Sequence, residues 1–361
     1  MNIKYYPIIK TTIAEIRALK NLDQNTWQSM TPIIELTKSR KGKNNQDASV
    51  YKKIDELCQV IKSEQLILDL TTIDSLSNEQ IESFYDDSNY FENWCSFIEY
   101  VKGKIPGVLP VLLAYPDSNI NELIVQAENL CKHTRHVVIR IPIFEQGLSS
   151  LFNTLLQLVQ QKPYLIHSII FDASYIKEKI EQKPFEYIVA FISYFFQKIN
   201  GFYTGKYIFC SEHYPGNITE YLDKTQNQYE NKVYYGNLSL YENINLELAK
   251  IAMPNVLYGD YACIHPFRND VKAYNWIPRI DFPTRDSIFF SKVRRDVGGY
   301  DQCARNIVTL NAFQNDTLVC WGKNEITQAS LTKAGGLNPS YWISVRSNIH
   351  ISRMAKLVKN N

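Results

Sequence analysis

The most constraining feature of this sequence is a regular alternation between short apolar runs and longer segments with helical periodicity. It extends over the first 260 residues, and the runs are rich in the β-branched and aromatic residues that favour strands. Continuous apolar runs are typical of strands buried on both faces, which form parallel sheets covered by helices. The nine runs span residues 5–10, 31–36, 66–70, 108–115, 136–142, 167–172, 206–211, 233–238 and 256–261.

The length of the repeating unit favours a (β/α)8 TIM-like barrel. Eight strand–helix units of this kind occupy about 250 residues, which matches residues 1–261. Because there are nine runs, either 233–238 or 256–261 should be an edge or hairpin strand, and the sequence leaves open which one. The alternative architecture is an open doubly wound α/β sheet, although no GxGxxG motif follows the first run.

Residues 262–361 differ in character from the predicted barrel. They contain 14 Lys and Arg against 7 Asp and Glu, whereas residues 1–261 are net negative. Trp276, Trp321 and Trp342 need burial, so we predict a basic, aromatic-rich α+β extension packed on the barrel. The basic charge has two interpretations: an anionic partner such as nucleic acid, or arginines that dock on the acidic body.

Several classes of protein are disfavoured. No apolar run approaches the roughly 20 residues of a membrane span, and the N-terminus lacks the apolar region of a signal peptide. The seven cysteines are scattered singly, which predicts a reduced, cytoplasmic protein. P-loop, HExxH, GxSxG and kinase signatures are missing from the sequence.

Polar and charged side chains follow most of the apolar runs. The C-terminal ends of barrel strands carry the chemistry in this architecture, and a charge there is costly unless it is paired or lines a cleft. Alternatively, such charges simply mark where a strand leaves the core. The candidate catalytic acids and bases, which could also bind a cation such as Mg²⁺, are Glu35, Asp69, Asp172, Glu212 and Asp260. The candidate ligand-binding residues are Lys10, Tyr115, Arg140, His213 and His265.

These candidates have distinct chemical roles in the hypothesis. Lys10 and Arg140 would hold a phosphate or carboxylate, or keep the acids ionised. His213 and His265 would move protons or bind a metal, although ordinary loop histidines are the simpler interpretation. We expect the strand-end residues to converge at one mouth of the barrel, because parallel strands all end on the same side.

Four segments of the sequence resemble one known family. They are YYPIIK (5–10), TPIIEL (31–36), GDYACIHP (259–266) and GLNPSYWISVRSNIHISR (336–353), and together they look like the phage-type beta-protein family of phage and bacterial mobile elements. The resemblance implies a cytoplasmic protein in phage–host conflict, including anti-phage defence. It implies no mechanism and no catalytic residues.

Two functions follow from the charged strand ends. The first is a recognition protein that binds an anionic ligand, a phage component, nucleic acid or a partner protein through a charged pocket at the barrel mouth. The alternative is a barrel hydrolase or phosphodiesterase-like enzyme that acts on a phosphate-bearing or nucleic-acid substrate. Fold alone does not decide between them.

Overall fold

A computed structural model describes residues 4–41, 48–145, 147–177, 182–221, 231–267 and 276–360. The strands are β1 (Tyr6–Lys10), β2 (Ile33–Leu36), β3 (Leu66–Leu70), β4 (Val108–Pro110), β5 (Val137–Pro142), β6 (Ile166–Tyr175), β7 (Lys206–Glu212), β8 (Asn231–Tyr234), β9 (Leu257–Asp260), β10 (Arg279–Pro283) and β11 (Ser287–Lys292). The helices are α1 (Ile13–Lys20), α2 (Gln24–Gln28), α3 (Val50–Cys58), α4 (Glu79–Phe84), α5 (Glu92–Lys104), α6 (Ile120–Thr134), α7 (Leu148–Gln161), α8 (Gln182–Ile199), α9 (Asn237–Lys250), α10 (Gly299–Val308), α11 (Asn311–Gln314), α12 (Trp321–Leu331) and α13 (Pro339–Asn360).

Eight parallel strands curve into a nearly closed barrel, as the sequence predicts. Their order is β4-β3-β2-β1-β9-β7-β6-β5, and a parallel bridge between Val111 and Val138 joins the two outer strands. The amide of Leu112 donates to the carbonyl of Val138 at 2.8 Å beside that bridge. The alternative of an open doubly wound sheet is therefore wrong.

The surplus ninth run is 233–238. Its first residues belong to β8, which leaves the barrel and joins an antiparallel sheet of order β10-β11-β8. The last run supplies β9, which pairs with both β1 and β7 and completes the barrel wall. Gly259 fits there because an added Cβ would lie only 2.8 Å from the carbonyl oxygen of Tyr6 on the adjacent strand.

Side-chain alternation along the strands divides the interior into two layers. One face of each strand fills the barrel lumen, and the other packs against the surrounding helices in the larger core. The lumen is filled by Tyr6, Ile8, Ile33, Ile67, Leu109, Val111, Val138, Ile170, Ile208, Cys210 and Tyr261. The lumen is thus a packed core below the mouth, and chemistry is confined to the strand ends above it.

Helix α13 attaches the C-terminal segment to the outside of the barrel. Ile351, Met354 and Val358 are buried in the same core as the barrel helices. Asn348 donates through Nδ2 to the carbonyls of Ala18 and Asn21, each at 3.1 Å, and so fixes α13 to the end of α1. The division into residues 1–261 and 262–361 stays a prediction. Strand β8 precedes this boundary and pairs with β11, which follows it, so the two segments share one sheet.

Two further findings bear on the classes considered above. None of the seven cysteines forms a disulfide. In the part of the chain that the structure describes, no helix has the length and apolarity required to cross a membrane.

The seating of α13 gives a test of this packing. Met354→Ala should lower the free energy of unfolding by about 2–5 kcal/mol, because it removes a fully buried side chain from the shared core. Lys356→Ala, an exposed change on the same helix, should alter it by less than about 0.5 kcal/mol. Urea denaturation of the whole chain measures both, and equal small effects would contradict the docking of α13 on the barrel.

Candidate functional site

Five residues named from the sequence meet at the C-terminal mouth of the barrel. In the sheet register Lys10 is the partner of Glu35, and Glu35 is the partner of Asp69. Arg140 on β5 and Asp172 on β6 reach the same point from the other half of the barrel. The strands position these groups because every second residue points inward, and these five continue the inward-facing rows.

Arg140 lies at the centre of this cluster. Its Nη1 donates to Glu35 Oε1 at 2.8 Å and to Asp69 Oδ2 at 2.6 Å. Its Nε and Nη2 donate to Asp172 Oδ2 at 3.0 and 2.7 Å, and Nη2 also donates to the Tyr261 hydroxyl at 2.8 Å. A guanidinium has five N–H donors, so all of them are engaged within the chain.

Lys10 and Tyr261 complete the cluster. The Lys10 ammonium lies 3.0 Å from Glu35 Oε2 and 5.2 Å from the centre of the Tyr261 ring. The Tyr261 hydroxyl donates to Asp172 Oδ2 at 2.7 Å. Three carboxylates therefore face two cations, and each of these charged side chains is at most 15% exposed.

The pKa values of Glu35 on β2 and Asp69 on β3 are shifted in opposite directions. Burial alone would raise the pKa of Glu35, but the charges of Lys10 and Arg140 lower it to about 2. Burial raises the pKa of Asp69, with the Glu35 charge adding to it and Arg140 only partly opposing it. The Glu35 carboxylate is therefore strongly favoured, whereas at Asp69 the pairing with Arg140 does not fully offset the cost of burial.

A cleft of about 580 Å³ opens above the cluster. Glu35, Asp69, Arg140, Asp172 and Tyr261 form its floor. Its walls are mostly apolar and include Leu112, Tyr115, Leu148, Leu151 and Leu155.

The rim of the cleft carries exposed aromatic rings. Phe144 is 48% exposed and Phe267 is 59% exposed, and both line the cleft. Tyr115, a sequence candidate, lines the wall and donates its hydroxyl to the Tyr85 carbonyl. Large exposed rings around a concave site are typical of ligand-binding surfaces.

Glu212 and Asp260 do not join the mouth cluster. Asp260 shares its strand face with Tyr258, which points away from the lumen, and its carboxylate accepts from the hydroxyls of Tyr5 and Tyr258. His350 of α13 lies with Nε2 2.7 Å from Asp260 Oδ2. Burial raises the pKa of Asp260, but His350 and these hydrogen bonds outweigh it and leave the pKa below its usual value.

Glu212 is completely buried beside that group. Its Oε1 accepts from the Tyr214 amide at 2.7 Å, and burial followed by the Asp260 charge raises its pKa. His213 accepts at Nδ1 from the Gly236 amide at 3.2 Å. The network of Glu212, Asp260 and His350 lies where the barrel meets the C-terminal segment. None of these three residues is among the described residues that line the cleft.

His265 lies nearer the cleft but apart from the mouth cluster. Its Nδ1 is 3.0 Å from the Tyr214 carbonyl, and its ring meets Tyr175 edge-on at 4.5 Å between centroids. Burial lowers its pKa.

A metal site is not formed by these carboxylates. Across the described ranges no group of three or more His, Cys, Asp or Glu side chains is arranged to hold a metal ion. Glu35, Asp69 and Asp172 converge on the Arg140 guanidinium, which takes the place that a cation such as Mg²⁺ would need. The donor set therefore does not fit the Mg²⁺ considered from the sequence.

Several basic residues of the C-terminal segment pair with acids of the same segment. Arg346 Nη1 lies 2.6 Å from Asp281 Oδ2, and Arg279 Nε lies 2.9 Å from Asp281 Oδ1. Arg353 forms a bidentate ion pair with Asp316. The sequence analysis missed Tyr261, Arg346 and His350. Tyr261 has a positional signal, because it follows Asp260 at the end of the last barrel run. Arg346 and His350 lie in the 336–353 family segment, but nothing in their spacing indicates their partners.

Comparisons with known proteins give one family and one curated relative. A family model described as "Beta protein" matches residues 5–356. Protein beta of Enterobacteria phage P4 is 22% identical over 99% of this chain and 94% of its own length.

Two solved structures have a low similarity to this chain. Xylanase A of P. fluorescens subsp. cellulosa, in complex with xylopentaose, is 12% identical with a TM-score of 0.42 over 72% of this chain and 86% of that one. A thermostable xylanase mutant from Cellvibrio japonicus is 10% identical with a TM-score of 0.39 over the same shares.

The central role of Arg140 gives a stability prediction. Arg140→Met should lower the free energy of unfolding by about 3–5 kcal/mol, because it leaves three buried carboxylates without their shared partner. Adding Asp172→Asn should restore part of the loss by removing one of those charges. Arg305→Gln, at an exposed position, is the control. Denaturant titration at neutral pH measures all of them, and an Arg140→Met effect no larger than the control would contradict the role of the guanidinium.

His213 gives a pH prediction. Burial lowers its pKa to about 4, from an ordinary value of about 6.5. The unfolded chain therefore takes up the proton first, and this residue's contribution to stability is lost as the pH falls from about 6.5 to about 4. The loss is about 3 kcal/mol at the acid end of that window.

His213→Asn separates this contribution from other acid-sensitive groups. Asparagine keeps an acceptor for the Gly236 amide but does not titrate. The variant's free energy of unfolding should therefore fall less steeply with acid than that of the natural chain. If the free energies of unfolding of the two proteins fell equally as the pH is lowered, the prediction that folding lowers the pKa of His213 would be wrong.

Proposed function

This chain belongs to the Beta protein family, and we propose that it is a recognition protein that binds a small ligand in the cleft at the C-terminal mouth of its barrel. The observation that supports the proposal is the cleft itself. It combines about 580 Å³ of space, a floor of fixed charges and mostly apolar walls. This combination of concavity, apolar surface and a few oriented polar groups is that of a small-molecule site.

The floor is suited to recognition because its groups are already held in place. Asp172 Oδ2 accepts three hydrogen bonds, and its Oδ1 accepts from the Ser174 amide at 2.8 Å. Asp69 Oδ1 likewise accepts from the Leu70 amide at 2.8 Å. A site whose polar groups are fixed before binding loses little conformational freedom when a ligand arrives.

The family context supports a place for this recognition in phage–host conflict. The curated relative is a protein of phage P4, and it matches nearly the whole of both chains. In this proposal the bound molecule is a phage or host component, and anti-phage defence is one such setting.

A hydrolase is the second candidate, and one observation favours it. Glu35 and Asp69 are neighbours whose pKa values are driven apart, one downward to about 2 and the other upward. Neighbouring carboxyl groups whose pKa values are shifted apart are one arrangement that general acid–base catalysis uses. Turnover of p-nitrophenyl glycosides or bis(p-nitrophenyl) phosphate that disappears in Asp69→Asn would favour this candidate over a purely binding role.

The binding proposal is tested by filling the cleft. Ala114 is half-buried in the wall, so Ala114→Trp should occupy the space without entering the core. Ala249→Trp, on the exposed side of α9, is the matched control. Ligand-observed NMR with neutral, cationic and anionic aromatic fragments should detect binding to the natural chain and the control.

Ala114→Trp should lose that binding. Fragments that bind all three proteins equally would place binding elsewhere. A natural chain that binds none of them would contradict the proposal.

A further inference from the structure

Building on the proposed function, we infer that the polar part of the ligand is a positively charged hydrogen-bond donor, such as an amine or amidinium group, carried on an apolar body. The inference concerns the polarity of the cleft, which is opposite to the anionic ligand expected from the sequence. It follows from which hydrogen-bonding groups the floor still offers, from its charge, and from its apolar walls.

Among the described residues that form the floor, the side-chain donors are already engaged and none is left for an anion. All five N–H groups of Arg140 are engaged by Glu35, Asp69, Asp172 and Tyr261. The Tyr261 hydroxyl is used too, because it donates to Asp172. An incoming phosphate or carboxylate would have to displace one of these charge-assisted bonds before it could bind.

Acceptors, by contrast, remain available. Within the part of the chain that the structure describes, each oxygen of Asp69 has one hydrogen-bond partner, and Glu35 Oε1 has one. A carboxylate oxygen can accept two hydrogen bonds, so these oxygens can take a further donor from a ligand. Both residues line the cleft and lie at its floor.

The charged residues that line the cleft are mostly acidic, which favours a cationic ligand. Among its lining residues Glu35, Asp69, Asp172 and the exposed rim residue Glu145 are acidic, and Arg140 is the one basic side chain that the described lining contains. Lys10 lies behind Glu35 and is not part of the lining, with its side chain 8% exposed. The partly buried setting weakens solvent screening, so this surplus of negative charge attracts a cation.

The apolar walls define the rest of the ligand. Leu148, Leu151 and Leu155 of α7 present one apolar surface, and Phe144 and Phe267 stand exposed at the rim. A ring or short hydrocarbon chain would cover this surface while its charged end meets the floor. The ligand class is thus an amphipathic cation of small-molecule size, which is what a cleft of this volume holds.

The test compares three probes that share one ring. Benzylamine, benzyl alcohol and benzoate differ in charge but hardly in shape, and isothermal titration or NMR titration gives the affinity of each for the full chain at neutral pH. Benzylamine should bind about tenfold tighter than benzyl alcohol, and benzoate weakest. The amine's advantage should shrink as salt is added, because part of it is electrostatic.

A rim variant locates the effect without disturbing the floor. Glu145→Gln should weaken benzylamine about two- to fivefold and leave benzyl alcohol unchanged, because Glu145 contributes charge and is exposed. Glu247→Gln on α9, outside the cleft, should change neither. Equal effects of the two variants would mean that the amine is not held in the cleft.

The outcomes separate this inference from the proposed function. Benzoate binding as tightly as benzylamine would overturn the inference and restore an anionic ligand. Benzyl alcohol binding as tightly as benzylamine would overturn it as well, while the cleft remained a binding site. Failure of all three probes to bind would overturn both.

Discussion

The contact between the Arg140 guanidinium and three carboxylates is the interaction on which the mouth of this barrel depends. Glu35, Asp69 and Asp172 come from three strands on both sides of the seam where β4 meets β5, and they would repel one another without a shared cation. The guanidinium is planar and carries five donors, so a single side chain can join all three. It therefore closes the polar end of the lumen and sets the shape of the cleft floor at once.

A second buried network attaches the C-terminal segment to the barrel. The Asp260 carboxylate faces outward from β9, where His350 of α13 reaches it. A buried carboxylate is costly without a partner, so the last barrel strand and the last helix depend on each other. Arg346, one turn earlier on α13, pairs with Asp281 of β10 and fixes the same helix to the small sheet. The two networks are separate, one serving the cleft and the other the assembly of the chain.

The sequence was sufficient for the parts that depend on local periodicity. The parallel barrel follows from apolar runs and their spacing, and Glu35, Asp69 and Asp172 meet because each lies two residues after an inward-facing isoleucine. Asp260 was grouped with them on its strand-end position alone, although its parity with Tyr258 places it on the outer face. His350 lies 90 residues from Asp260, and no spacing rule connects them. The run 233–238 has the composition of a barrel strand. Its pairing with β11 is a long-range contact that the local sequence pattern does not indicate.

Composition alone does not show which charges remain available after folding. The surplus of Lys and Arg after residue 261 has two interpretations, an anionic partner or arginines paired with acids, and Arg279 and Arg346 pair with Asp281 while Arg353 pairs with Asp316. The barrel mouth has the opposite balance, because Arg140, the one arginine in the described lining, is already hydrogen-bonded to the acids around it. The charge that a ligand meets is set by which groups remain unpaired after folding. A chain with a formal charge of +2 can therefore present an acceptor-rich, negative cleft, and its basic segment and its ligand site must be considered separately.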